Sequence, residues 1–362
     1  MTTRGGYTFS AGPVMLPAPV RERIRNDLGD WRGTGFSVLE LSQWDETLLA
    51  MFDQVESDLR DLLGVPDDYA VLFLHGGASN QFAMVPMNLL RGRRHVDYLH
   101  TGLWSGKAIQ DARRYAEVNV AASTEAVGFR RASRPGEPRW DERAAYLHYT
   151  PVETVHGVQF DHVPDSGGAT VVADVSSALF SADLDVRRLG LAYASSQKNL
   201  GVVGMTVVIV HRDLIGHADP RTPTTFDYAV HERTRSRFTT PPVFPWYVAG
   251  LMLDWVREQG GTAAVCAASR RRSELLYAAI DDSGLFSAPV EVGSRASASV
   301  PFRLTDPLLT QTFLAEAEAA GLHGLRGHPS VGGLRACLYL GMPEAGVHAL
   351  TGFLKEFEAR HG

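Results

Sequence analysis

Lysine is scarce in this chain. Of its 35 basic residues only Lys107, Lys198 and Lys355 are lysines, and the rest are arginines. A guanidinium stays charged, whereas an ε-amine can lose its proton and attack a carbonyl, so the few lysines are the first places to look for amine chemistry. Cysteine is scarcer still. Cys266 and Cys337 alone exclude a disulfide framework or a four-thiolate metal site, and they point to a reduced, cytoplasmic setting with no metal centre. Long hydrophobic runs are missing too: residues 200–210 and 243–253 are the compact apolar stretches, each too short to span a bilayer. Residues 1–9 are polar and glycine-rich, which is not the pattern of a secretory signal. Neither a membrane nor a nucleic acid is an expected partner, since 41 acidic residues outweigh the basic ones and the net charge is −6. With 44% hydrophobic and 21% charged residues, wholesale disorder is excluded as well.

What is present has an order. Leu48, Met51, Phe52, Val55, Leu59, Leu62 and Leu63 recur at helical spacing, and Gly64 is placed to end that helix as a left-handed cap. Short apolar runs at 70–74, 96–99, 145–149, 170–173, 191–194 and 205–210 read as buried strands. Helix-length amphipathic stretches at 81–90 and 105–117 lie between some of them. This alternation predicts an α/β fold with a mostly parallel sheet flanked by helices on both faces. Residues 219–242, with Arg221, Arg233, Arg235 and Arg237, read as a long surface excursion that meets another subunit. A long helix from Pro242, interrupted near Gly260 and Gly261, leads into a smaller α+β unit. That unit has helices at 263–280, 307–320 and 343–361 and strands near 298–304 and 334–340. The run Arg270-Arg271-Arg272 is expected on a solvated helix face. The expected division is a segment 1–15 packing near the active site, a large domain 16–258 and a small C-terminal domain 259–362.

In sheets of this kind ligands sit at the carboxyl ends of the strands. His75-Gly76-Gly77-Ala78-Ser79 leads from a strand into a helix, where unobstructed backbone N–H groups cradle a phosphate, although such turns also serve tight geometry alone. The G-x-G-x-x-G pattern of dinucleotide folds is absent there. Asp174 follows one strand and Lys198 the next, 198 − 174 = 24 residues apart, about one strand–crossover–strand unit. Both groups therefore emerge at one sheet edge. A carboxylate and an amine there meet two needs of pyridoxal 5'-phosphate chemistry: a Schiff-base amine, and a partner that keeps the pyridine nitrogen protonated. A plain ion pair would explain the spacing equally; lysine scarcity and the phosphate cradle favour the cofactor. Trp104 and Thr154 also follow strands, suited to stacking on a ring and to bonding a phenolic oxygen, though core and turn roles would account for either one alone.

Together these motifs resemble the phosphoserine aminotransferase family of class V, fold-type I pyridoxal phosphate enzymes, over essentially the whole length. The strongest matches are Ser195-Ser196-Gln197-Lys198-Asn199, Val172-Ala173-Asp174-Val175-Ser176-Ser177, Thr239-Thr240-Pro241-Pro242, and Gly327-His328 followed by Val331-Gly332-Gly333-Leu334-Arg335-Ala336. The resemblance implies a seven-stranded-type sheet and a homodimer with its active site at the interface. It implies Lys198 as the Schiff-base lysine, Asp174 at the ring nitrogen, Trp104 on the ring and Thr154 near the phenolic oxygen. Ala78, Ser79 and Gln197, with Thr239 and Thr240 of the partner subunit, would hold the phosphate. Arg335 would take the substrate α-carboxylate, with Gln43, Trp44 and His328 around the rest of the substrate.

Departures accompany the likeness. Gln43 and Trp44 stand where the family has a His-Arg pair, Ser79 and Pro329 where it has arginines, and Val152 and Thr239 where it has asparagines. Three cations around the distal anion are thereby missing. The expectation is an aminotransferase moving an amino group between an amino acid and a 2-oxo acid, whose substrate lacks the usual distal phosphate and packs against Trp44. Arg32, Arg235, Arg237 and Arg326 are candidates to compensate. Authentic phosphoserine aminotransferase chemistry, with 3-phosphohydroxypyruvate and L-glutamate in serine synthesis, is the alternative. A lyase or decarboxylase on the same fold is the second.

Overall fold

The computed structural model describes residues 5–362; the first four residues of the expected 1–15 segment lie outside it. Seven strands form the central sheet: β1 (Tyr69–His75), β2 (His95–His100), β3 (Glu117–Ser123), β4 (Ala144–Tyr149), β5 (Thr170–Asp174), β6 (Leu191–Ser195) and β7 (Met205–His211). Their spatial order is β1-β7-β6-β5-β4-β2-β3. All neighbours are parallel except β7, which runs antiparallel to both β1 and β6. Both faces are covered, and along β1 the side chains alternate between them. Val71 and Phe73 join the core under α1 (Ala18–Asp27), α2 (Glu46–Leu63) and α6 (Val243–Glu258); Ala70, Leu72 and Leu74 join the core under α3 (Gln81–Leu89) and α4 (Leu103–Ala112).

Local chemistry sets the helix ends. Asp45 accepts from the N–H groups of Thr47 and Leu48 at the start of α2, and Gly64 closes it at φ 60°, the conformation expected of its cap. On that face Trp246 of α6 stacks on Phe73 with ring centroids 4.3 Å apart. Each such fully buried aromatic contributes about 1.5–3 kcal/mol of transfer free energy.

Two expectations are corrected in this region. The stretch 105–117 is not one helix: α4 ends at Ala112, and Glu117 opens β3, one of the sheet's two edge strands, whose partly exposed residues weaken its apolar signature. The excursion 219–242 is not wholly superficial. It folds into a short helix, α5 (Tyr228–Arg233), and Tyr228 is fully buried with its hydroxyl donating to Gln81 Oε1 at 2.6 Å.

A second core gathers Phe286, Phe302, Phe313 and Phe357 from a three-stranded antiparallel sheet and the helices α7 (Gly261–Asp281), α8 (Thr310–Ala319) and α9 (Glu344–His361). Phe9 belongs to this core, and Tyr7–Thr8 pairs with Leu322–His323. The chain then passes the large sheet's edge, bringing Gly12 beside the Gln197 side chain. Arg272 is not on a solvated face. Val265, Ser269, Arg272 and Leu276 share the buried side of α7, so helical spacing carries the third arginine of the run inward. Among the described residues, no helix is long and apolar enough to cross a membrane.

Candidate active site

A cavity lies at the carboxyl ends of β1, β5 and β6. Ala78, Ser79, Trp104, Asp174, Gln197 and Lys198 all line it. Six residues scattered over 120 positions of sequence therefore converge because parallel strands end at one edge. Lys198 follows β6 in a turn held by Ser196 N–H, which donates to Met205 O at 2.9 Å, and by Asn199, whose amide donates to Leu179 O at 2.7 Å. Asp174 ends β5, buried, and accepts from Ser176 N–H at 3.0 Å. Burial holds its carboxyl above the ordinary range, against the pull of Ser176 and the positive charge of Lys198.

The cradle is built by close approach. Gly76 sits at φ 95°, a left-handed conformation that side chains rarely adopt, beside the Asn80 side chain. Ala78–Asn80 forms a 3₁₀ turn leading into α3, so the first N–H groups of that turn have no intrahelical acceptor. Trp104 is fixed at two points: its backbone N–H donates to Glu153 Oε2 at 3.0 Å and its indole N–H to Thr154 Oγ1 at 3.2 Å. Glu153 is buried and also accepts from Ser105 N–H and Ser105 O–H, both at 2.7 Å. Thr154 stands behind Trp104 rather than in the cavity wall. Lys107 lies 4.8 Å from the Trp104 ring centroid.

Arg335 and His328 line a neighbouring cleft between the two cores. Arg335 is buried, and its guanidinium donates to Thr154 O at 3.3 Å. Arg130 and Arg303 add further cations to the lining, His156 also faces it, and no carboxylate residue lines this cleft. Burial pushes the His156 imidazole down to about 4, with His100 and His328 adding to the effect, so it is a neutral hydrogen-bonding group near pH 7.

Other expected residues stand apart. Thr239 and Thr240 are exposed and line a separate groove, where His75 Nε2 meets Thr240 O at 2.8 Å. Gln43 and Trp44 line neither cavity of their own chain, and Trp44 is 70% exposed. An aromatic wall from Trp44 is therefore not part of the site within one chain, because the turn before α2 faces outward. The four candidate compensating arginines are also placed elsewhere. Arg235 and Arg237 pair with Asp53, Arg326 with Gln311, and Arg32 lies over Trp31.

Three residues of the site were not singled out from sequence: Glu153, Ser177 and Tyr339. Tyr339 Oη accepts from Lys198 Nζ at 2.8 Å across 141 positions of sequence. Nothing in Leu338-Tyr339-Leu340 distinguishes that tyrosine from core. Glu153 shares a motif with Thr154, and a carboxylate in an otherwise apolar turn was the available signal.

A mostly parallel α/β sheet with an amine and a carboxylate at adjacent strand ends defines a pyridoxal-phosphate-dependent transferase. The chain belongs to the aminotransferase class-V family, whose model matches residues 6–350. Curated relatives include the phosphoserine aminotransferase of Pseudomonas putida, 45% identical over 99% of this chain and 100% of that relative, and that of Azotobacter vinelandii, 46% identical over the same shares. Among solved structures, the phosphoserine aminotransferase of Bacillus circulans subsp. alkalophilus superposes with a TM-score of 0.97 at 39% identity, covering 99% of this chain and 100% of that one. A PLP-bound phosphoserine aminotransferase from Trichomonas vaginalis gives 0.93 at 32% identity, covering 97% and 100%. The protein is accordingly a transaminase that uses pyridoxal 5'-phosphate.

The residues present suit that cofactor. A buried carboxylate calls for a positively charged hydrogen-bond partner, which a protonated ring nitrogen provides. The cradle is free of large side chains where a phosphate would lie, and an indole and an amine face the same space.

Proposed function

We propose that this chain is a phosphoserine aminotransferase, exchanging the amino group between L-glutamate and 3-phosphohydroxypyruvate. The cationic lining of the cleft beside Arg335 carries this reading: Arg130 and Arg303 supply positive charge, His156 and His328 stand beside them as hydrogen-bonding groups, and no acidic side chain lines it. The sequence-based expectation of a substrate without a phosphate rested on cations missing at Gln43, Trp44, Ser79 and Pro329. The cleft supplies basic groups from other positions, and relatives 45% and 46% identical over their full lengths carry the phosphoserine aminotransferase name. Both observations favour the phosphorylated substrate.

Pyridoxal 5'-phosphate supplies an aldehyde that takes up the amino group and a ring that withdraws electrons. Asp174 would hold the ring nitrogen in its charged form, and Trp104 would cover one face of the ring. Backbone at Ala78 and Ser79, with Gln197 and with Thr239 and Thr240 of the partner subunit, would hold the phosphate. Lys198 Nζ is the group placed to remove the substrate α-proton and return it as a general acid–base. Arg335 would orient the α-carboxylate as a bidentate fork.

Each charge-assisted hydrogen bond to a distal phosphate is worth about 1.5–3 kcal/mol. Two of them predict kcat/KM for 3-phosphohydroxypyruvate about a hundredfold or more above that for pyruvate, with glutamate as donor. Equal use of both acceptors would reject the phosphate assignment. Borohydride reduction followed by peptide mapping should fix the cofactor on Lys198 and leave Lys107 and Lys355 unmodified; label elsewhere would reject the amine.

A further inference from the structure

We propose that Tyr339, backed by Ser177, is a positioning residue that holds the Lys198 amine whenever that amine is not attached to the cofactor. The inference rests on Lys198 being the reacting amine. Its geometric basis is a chain of contacts: Lys198 Nζ donates to Tyr339 Oη at 2.8 Å, and Tyr339 Oη lies 3.1 Å from Ser177 Oγ. Both Tyr339 and Ser177 are buried, so solvent does not compete for these bonds. The ring also lies under the amine, with Nζ 5.1 Å from its centroid.

The backbone fixes this arrangement from both sides. Asn199, the residue after Lys198, uses its side-chain oxygen to accept from Leu340 N–H at 3.0 Å, the residue after Tyr339. Two segments 141 positions apart are thus clamped one position beyond the pair they present. Tyr339 packs in a small cluster with Ala298 and Cys337, against which Ala11 and Val14 of the N-terminal segment lie.

A phenol suits this task because of what the amine must do. In transamination Lys198 is released, takes up a proton and gives it back, so its holder has to accept from an ammonium and donate to a neutral amine. A hydroxyl does both by rotating, and Ser177 takes whichever bond is left. Burial raises the Tyr339 phenol above its ordinary value while the lysine charge opposes that rise, which is consistent with a phenol that keeps its proton at neutral pH. A phenylalanine keeps the ring and loses both bonds.

The test uses the full-length protein loaded with pyridoxamine 5'-phosphate, in which Lys198 is unattached, and treats it with an acylating reagent. Labelling at Lys198 is read by peptide mapping against Lys107 and Lys355, internal controls that the scarcity of lysine makes clean. Removing a hydroxyl that hydrogen-bonds either form of the amine should raise relative labelling of Lys198 about tenfold in Tyr339→Phe. Ser177→Ala should change it in the same direction by a smaller factor. In steady state, Tyr339→Phe should lower kcat with KM for both substrates nearly unchanged. Should Tyr339→Phe fail to fold, Ser177→Ala decides alone. Unchanged relative labelling in the variants that fold overturns the role of Tyr339. Failure of the borohydride label to appear on Lys198 in the unsubstituted protein would instead overturn the functional reading beneath it.

Discussion

Glu153 illustrates how one buried side chain can govern a ring it does not touch. Its carboxyl receives three hydrogen bonds from Trp104 and Ser105, so it caps the start of α4 and sets where the indole lies. Burial pushes it from an ordinary 4.5 up to about 7, with the Ser105 and Trp104 donors opposing and the charge of Asp174 adding to the rise. An acid held high in the folded chain binds more protons there than in the unfolded chain across that interval. Its contribution to stability is therefore full below the ordinary carboxylate range and declines as pH rises through about 7. Replacement by glutamine should cost about 1–3 kcal/mol, because an acceptor facing backbone N–H groups becomes a donor. The same variant should lose this pH dependence, so the gap in Tm between wild type and Glu153→Gln should narrow from about pH 5 to about pH 8. Parallel Tm curves would reject the assignment. A carboxylate in an apolar turn was the one local sign of Glu153; its partner lies 48 positions away, so the cap itself is not written locally, whereas Asp174 and Lys198 each announce themselves at the end of an apolar run.

Strand ends and helix starts are where this site is made, and their legibility varied with environment. The six strands read from sequence are all buried runs, for which hydrophobicity suffices. The seventh, Glu117–Ser123, is an edge strand whose polar and half-buried residues merged with the helix before it. Arg272 went astray for a related reason. Three consecutive arginines point about 100° apart on a helix, so a run of charge cannot lie on one face. Arg272 consequently sits buried with Nε and Nη2 unpartnered among the described residues, and burial draws its guanidinium down to about 10. The start of α4 offers a sharper test at this scale. A Cβ at Gly102 would lie 2.6 Å from Glu153 Cδ, so Gly102→Ala must displace the helix start or the carboxylate. Overpacking of that kind costs about 1–3 kcal/mol, and the displacement should weaken cofactor retention about tenfold. Cofactor absorbance after dialysis measures this, and full retention would show that Trp104 does not depend on the cap.

At the scale of the whole molecule, the exposed Thr239, Thr240 and Trp44 acquire a use only if a second copy brings them to another chain's cavity. We propose a homodimer in which they do so. A mixture of Lys198→Ala and Thr240→Asp chains tests it. Either variant alone has two defective sites, the second because a carboxylate repels the cofactor phosphate. A hybrid pairs intact Lys198 of one chain with intact Thr240 of the other in one of its two sites. Random reassortment should then restore about a quarter of wild-type activity. No recovery beyond the separate variants would place Thr240 in its own chain's site or in none.

Pattern along the chain was enough to determine the α/β class, the strand ends bearing Asp174 and Lys198, the glycine cradle and, through several ordered motifs, the family. Those features are local, since a buried strand, a cap or a tight turn is written in neighbouring residues. Folding alone decided that Tyr339 reaches Lys198, that Glu153 anchors Trp104, that Trp44 points away from its own chain's cavity, and that Arg130, Arg303 and His156 gather beside Arg335. Each of these joins residues separated by tens to hundreds of positions, and hydrogen bonds and charge act through distance in space, which position along the chain does not encode.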